Sequence, residues 1–301
     1  MVDRKAAAGL SRLEQVLTAQ QFLAAVTKWP LKNEMRCPMP ARMILALMLG
    51  MLVLPACQQD EPPLTTEGAI SLRERAEQGQ VSAQLQLGRM YDMGQGVPQD
   101  YKEAVRWYQA AANQGDADSQ SRLGLMYATG KGIPQDYKEA FRWYQAAAEQ
   151  GQVSAQSSLG RMYDMGQGVP QDYKEAFRWY QAAAEQGTAD AQRYLGFMYV
   201  EGRGVPQDFK EAVRWWRAAS EQGHADAQSN LGVMYTNGQG VPQDYIQAHM
   251  WYNLAASGRR DDDDRKMAAK NRDSIAEKMT PEQIAEAQRL AREWRPKTGS
   301  Q

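Results

Sequence analysis

The segment Gly-x-Gly-[Val/Ile]-Pro-Gln-Asp-[Tyr/Phe] occurs five times, starting at Gly94, Gly130, Gly166, Gly202 and Gly238. Each copy lies 36 residues after the one before. A fixed period of this length marks a solenoid, in which a unit too small to bury its own apolar face stacks on copies of itself. The chain is therefore expected to build one elongated core by repetition.

Within each unit the residues dictate two helices. In residues 80–115, helix A is expected over about 81–93 and helix B over about 101–114. Gly94 and Gly96 permit the positive φ that ends helix A, and Pro98 bars its continuation. Asp100 is a strong N-cap, with Glu103 three residues later in the spacing of a capping box. The pair returns as Asp136/Glu139, Asp172/Glu175 and Asp208/Glu211, then as Asp244/Gln247. Gly115, Gly151, Gly187 and Gly223 end helix B. Ala83, Leu87, Met90 and Tyr91 form one stripe at helical spacing; Tyr101, Ala104, Tyr108 and Ala111 form another, with Trp107 and its equivalents beside it. Gly88 sits inside helix A and returns at Gly124, Gly160, Gly196 and Gly232. Mid-helix glycine costs about 1 kcal/mol against alanine, so its return implies a close helix approach.

The pattern Leu-Gly-x-Met-Tyr-x-x-Gly-x-Gly-Val-x-x-Asp-Tyr-x-x-Ala-x-x-Trp-Tyr-x-x-Ala-Ala-x-Gln-Gly resembles the Sel1-like repeat, a relative of the tetratricopeptide repeat. The resemblance covers five units over about 80–259. It implies an all-α, right-handed α/α superhelix and a role in protein–protein interaction. Ala76-Glu77-Gln78-Gly79 repeats the close of a helix B, so 66–79 reads as a half repeat. Beyond the fifth unit, helices are expected at about 265–278 and 281–294, capping the stack over 260–301. Thr280, Pro281 and Gln283 carry the start signals of the last helix.

Upstream, residues 43–54 form an apolar run of twelve. Spanning a bilayer takes about 20 residues, so this run fits a secretory signal better than an anchor. Arg36 and Arg42 precede it and Leu54-Pro55-Ala56-Cys57 follows it. The tetrapeptide resembles a bacterial lipobox, which implies lipid attachment at Cys57, and Gln58 after it resembles outer-membrane sorting. The expected layout is a leader or mis-assigned start over 1–34, a lipoprotein signal over 35–56 and a tether over 57–65. The expected location is the cell envelope, lipid-anchored at the outer membrane and facing the periplasm. If the signal is not cleaved, a cytoplasmic interaction protein is the alternative.

A ligand surface is sought where the units differ. Helix A leaves a second face at the offsets of 85, 86, 89, 92 and 93, and in tetratricopeptide-like stacks helix A lines the concave side. The candidate protein-binding groove comprises Gln86, Arg89, Asp92, Arg122, Leu125, Arg161, Asp164, Tyr194, Phe197, Val200, Asn230 and Val233. Tyr194 and Phe197 are expected to be exposed anchors, because aromatics dominate binding hot spots.

Catalysis, cofactors and metals are not expected. Net charge is −1, which gives no electrostatic basis for nucleic-acid binding. The only cysteines, Cys37 and Cys57, lie outside the repeats. His249 occupies a slot held by Val105, Phe141, Phe177 and Val213 and is expected to be packed, while His224 is expected to face solvent. Asp261–Asp264 lacks the spacing of a calcium loop. No nucleophile has a matching base, and a β-lactamase-type hydrolase, as described for cysteine-rich Sel1-like proteins, lacks its per-repeat cysteine pair here.

Overall fold

The computed structural model describes residues 66–258 and 262–297. Among these the chain forms helices and no strand, in the order α1 Thr66–Glu77, α2 Val81–Met93, α3 Tyr101–Ala112, α4 Ala117–Thr129, α5 Tyr137–Glu149, α6 Val153–Met165, α7 Tyr173–Glu185, α8 Ala189–Glu201, α9 Phe209–Glu221, α10 Ala225–Asn237, α11 Tyr245–Gly258, α12 Asp262–Ala276 and α13 Pro281–Glu293. Helices α2, α4, α6, α8 and α10 are the A helices of the five units, and α3, α5, α7, α9 and α11 are the B helices. The expected all-α repeat architecture is what forms. Cys57, the signal, the tether and the leader lie outside the described residues.

The buried clusters span the joints from one unit to the next. Ala140, Tyr144, Ala147 and Ala148 of α5 cluster with Ala155, Leu159 and Met162 of α6, and Trp179 of α7 packs against them. The same arrangement recurs one unit on, with α7, α8 and Trp215. Helix B of one unit thus meets helix A of the next, and the tryptophan of that next unit seals the joint. At the amino end, Leu72 and Ala76 of α1 supply the helix-B half of the joint to Ala83, Leu87 and Met90 of α2, with Trp107 closing it.

The loop between the two helices has separate tasks for its two glycines. Gly94 adopts φ 70° and donates its N–H to the Met90 carbonyl, ending α2. The second glycine is held by the neighbouring unit: a Cβ on Gly132, at φ +73°, would collide with the Tyr101 carbonyl at the start of α3. The mid-helix glycine marks the expected close approach of helix B, which is made by a side chain. A Cβ on Gly124 would lie 2.9 Å from the Tyr144 ring, so the glycine seats an aromatic side chain of its own unit.

Helix capping departs from the expected box. Asp100 accepts from the N–H groups of Lys102 and Glu103 at 2.9 and 3.2 Å. The Asp100 N–H donates to the Tyr91 carbonyl at 3.0 Å, so it has no need of Glu103. Tyr91 sits in the last turn of α2, where carbonyls lack intrahelical donors, so one bond satisfies both helix ends. Glu103 instead accepts from Arg106 at 3.3 Å. The motif glutamine has a role of its own: Gln99 donates to the Asp92 carbonyl at 2.7 Å, as Gln135 does to Ala128.

A ladder of amides runs along the joints, its helix-A glutamines buried and the glutamines after helix B exposed. Gln84 donates to the Ala76 carbonyl, and Gln114 donates to the Gln84 side-chain oxygen at 2.8 Å. Gln150 to Gln120, Gln186 to Gln156 and Gln222 to Gln192 repeat the bond.

The carboxyl end is closed by two helices laid on α11. Ala268 and Ile275 of α12 are buried there, next to Ala255 and Tyr252. Ala291, Leu290 and Trp294 join the last joint, with Trp294 edge-on to Trp251 at 6.5 Å. Thr280 and Gln283 form the expected capping box, with Pro281 in the first turn. Lys297 then bonds back to Glu221 through both backbone and side chain.

Candidate protein-binding groove

The helix-A face is built from two rows that run across the units. One row repeats the position of Arg89. Leu125 is 40% exposed and Val233 39%. Arg161 is also exposed and forms no ion pair among the described residues. Arg89 is tied to Asp118 of the next unit at 3.1 Å. The adjoining row carries Gln86, half-buried, and then Arg122, Tyr194 and Asn230, whose amide nitrogen is buried without a partner among the described residues.

The two aromatics do not stand out as expected. Tyr194 is half-buried and stacks on Tyr180 at 4.8 Å, nearly parallel. Phe197 is half-buried too and sits edge-on to Trp216 at 5.3 Å. The Arg193 guanidinium lies over both rings, at 4.0 and 5.6 Å. Large rings on helix A fold onto the inward aromatic of helix B, because doing so removes apolar area from water. They form the wall of the face, and smaller apolar groups are left outside. Met93 and Met165 are 48% and 57% exposed and had no individual place in the sequence reading. Their row, at the offset of 93, was within reach of the same subtraction of the packed stripe.

Most of the charge on this face joins one unit to the next. Asp92 accepts from the Tyr108 hydroxyl at 3.4 Å and lies 3.9 Å from Arg122. Asp164 lies 3.8 Å from Arg203 of the following unit. Burial raises the Asp164 carboxyl above the usual range, and Arg203 only partly offsets this. Burial also raises the Tyr108 and Tyr180 phenols well above theirs, so both stay neutral at physiological pH. The Tyr180 hydroxyl is buried with no partner among the described residues. Val200 packs inward against the last joint.

The histidines divide. His249 is buried as expected, at 3% exposure. His224 is not simply solvated: its Nε2 lies 3.0 Å from Asp190, and its Nδ1 accepts from the Ala227 N–H at the start of α10. The imidazole is an N-cap that bridges two units. Of the aspartate run, Asp262 opens α12 and Asp263 pairs with Lys266 at 3.6 Å. Among the described residues no group of three or more His, Cys, Asp or Glu side chains could hold a metal ion, and no helix is long and apolar enough to cross a membrane.

The Sel1 repeat family model matches residues 81–116, 117–152, 153–188, 189–224 and 225–258. Among solved structures, a protective antigen of uropathogenic Escherichia coli with an SLR fold is 37% identical, over 76% of this chain, with a TM-score of 0.67. The chain spans 49% of that antigen's length. A Sel1 repeat protein from Oxalobacter formigenes is 32% identical, over 75% of this chain and 98% of its own, with a TM-score of 0.62. No curated protein matches the chain.

Proposed function

We propose, from the premise that this chain belongs to the Sel1 repeat family, that it is a non-catalytic scaffold holding a protein partner on its helix-A face. Proteins of this family generally serve as scaffolds for protein–protein contact. One observation carries the assignment to this face. Turns, caps and joints repeat almost unchanged, while the row of Arg89, Leu125, Arg161, Phe197 and Val233 differs in every neighbouring pair of units. Along it and beside it, Met93, Leu125, Met165 and Val233 leave apolar side chains in water. Methionine adapts its shape to a partner, and exposed apolar groups in a cluster mark interaction sites. Replacing Leu125 and Val233 together by Glu changes no buried contact of the core, so it tests binding without unfolding. Loss of the partners retained by the unaltered chain is expected; an unchanged set of partners would refute the assignment.

The scaffold is placed at the envelope by sequence alone. A positive stretch, an apolar run of signal length and Cys57 in a lipobox-like context make one consistent processing signal. Lipid at Cys57 would hold the repeats at the outer membrane, facing the periplasm, with residues 57–65 as tether. Radiolabelled palmitate is expected to enter the chain and to be absent from Cys57→Ala. Label that survives this substitution would remove the anchor from the account and favour an uncleaved, cytoplasmic form.

A further inference from the structure

A polar cleft of about 430 Å³ opens among α11, α12 and α13. Small-molecule sites have volumes of about 300–1,000 Å³. Its lining is His249 and Asn253 from α11, Arg272, Asp273 and Ala276 from α12, and Ile284, Gln288 and Arg292 from α13. His249 is 3% exposed, and its Nδ1 has no hydrogen-bond partner among the described residues. The equivalent slot in the second and third units holds Phe141 and Phe177, which pack edge-on against Tyr163 and Tyr199 of the following unit. No sixth repeat follows unit five, and an imidazole replaces the ring. Burying a ring nitrogen without a partner is costly, so His249 is a poor choice for packing alone.

The charges in the cleft are unevenly used. Arg272 places its Nε and Nη2 on the Asp273 carboxylate at 2.8 and 2.7 Å and its Nη1 on Asn253 at 3.2 Å. That pair neutralises itself. Arg292, exposed at the cleft, has no ion-pair partner among the described residues, and Glu286 and Glu293 on the same helix are both held by Arg289. With His249 neutral, the cleft carries one uncompensated positive charge. Ala276 and Ile284 supply apolar surface beside it. A planar guanidinium fork suits a carboxylate, and a short carbon skeleton suits the methyl groups.

We propose that this cleft is a binding site for a small organic carboxylate, held by Arg292 and Gln288, with its carbon skeleton on Ile284 and Ala276 and with His249 beneath it. The site is independent of the helix-A face. Burial, and secondarily Arg272, lower the His249 pKa, while Asp273 opposes them. An anion seated beside the ring would act in the direction of Asp273 and favour the imidazolium.

The full chain carries only two histidines, so His224 serves as an internal reference in imidazole NMR. The probes are carboxylates from acetate to adipate, inorganic phosphate, and chloride at matched ionic strength. A saturable shift of the His249 ring, with His224 unmoved, is expected for at least one carboxylate. Arg292→Gln should weaken that affinity about tenfold, the worth of one lost charge-assisted contact. Its unliganded melting temperature should not change, because Arg292 supports no other described side chain. His249→Val, the residue type of two other units, keeps the fold and allows affinity to be read by ligand-induced melting shift. No response to any carboxylate, an equal response in Arg292→Gln, or tighter binding of phosphate than of every carboxylate would each overturn the assignment.

Discussion

Replacing the mid-helix glycines by alanine separates two kinds of close packing. Alanine gains about 1 kcal/mol of helix propensity over glycine. Against this stands overpacking, which costs about 1–3 kcal/mol in a filled core. At Gly124 the new Cβ meets the Tyr144 ring at 2.9–3.1 Å, so the ring must shift by only a few tenths of an ångström, far less than the 2.2–2.6 Å approach to Trp216 demands at Gly196. The two effects nearly cancel, and a net loss of about 0–1 kcal/mol is expected. At Gly196 the Cβ falls on the Trp216 indole, whose Nε1–H donates to the Arg193 carbonyl at 3.0 Å. The ring cannot yield without losing that bond, worth about 1 kcal/mol, so Gly196→Ala should lose about 2–3 kcal/mol. In a structured region of this size each kcal/mol lowers the melting temperature by about 2–4 °C. Circular dichroism melts of both variants read the difference directly. Trp216→Tyr restores the ring found at Tyr108, Tyr144, Tyr180 and Tyr252, so the double variant Gly196→Ala/Trp216→Tyr should recover part of the loss, with a coupling of about 1–2 kcal/mol. Equal melting shifts at the two glycines, or strict additivity in the double variant, would refute the assigned contacts.

Three further outcomes follow from the geometry. Asp172→Ala should destabilise by about 1 kcal/mol in urea titration, whereas Glu175→Ala, whose side chain is not part of a reciprocal cap, should stay within about 0.5 kcal/mol. Gln186→Leu leaves the side-chain oxygen of buried Gln156 without its donor and should cost about 1–3 kcal/mol, more than the same change at Gln167, which serves no buried amide. His249 has its pKa depressed below the ordinary 6.5 in the folded chain, so between these values the unfolded state binds more protons. Stability should therefore fall as pH drops below about 6.5, and His249→Val should flatten that part of the profile.

The helices were legible because turn chemistry and apolar period agree at every copy. Pro98 stops one helix, Asp100 starts the next, and Leu87 and Met90 face inward at helical spacing. The joints were less legible. The period says which residues are equivalent, and it does not say that Trp179 closes the cluster of the unit before it. Gln84 and Gln114 read as ordinary polar residues, since only their approach across 30 positions makes them a bonded pair that satisfies the buried Gln84 amide. The capping box failed for a similar reason, because the distant Tyr91 carbonyl claims the Asp100 N–H before Glu103 does. On the helix-A face, the variable rows were found from sequence, but exposure was not. Tyr194 and Phe197 look like anchors until their rings are seen against Tyr180 and Trp216. His224 looked solvated because its cap on α10 and its contact with Asp190 join residues 34 positions apart.

The helix-A face as the binding surface is tested most directly by site-specific photo-cross-linking in cells. A photoreactive residue placed in turn at Leu125, Arg161, Met165 and Val233 should capture a protein partner. The same residue at the exposed helix-B positions Lys138, Lys174 and Lys210 should capture none, or only what a fully denatured control also captures. Partner cross-links confined to the helix-B positions, with none along the helix-A row, would contradict the account.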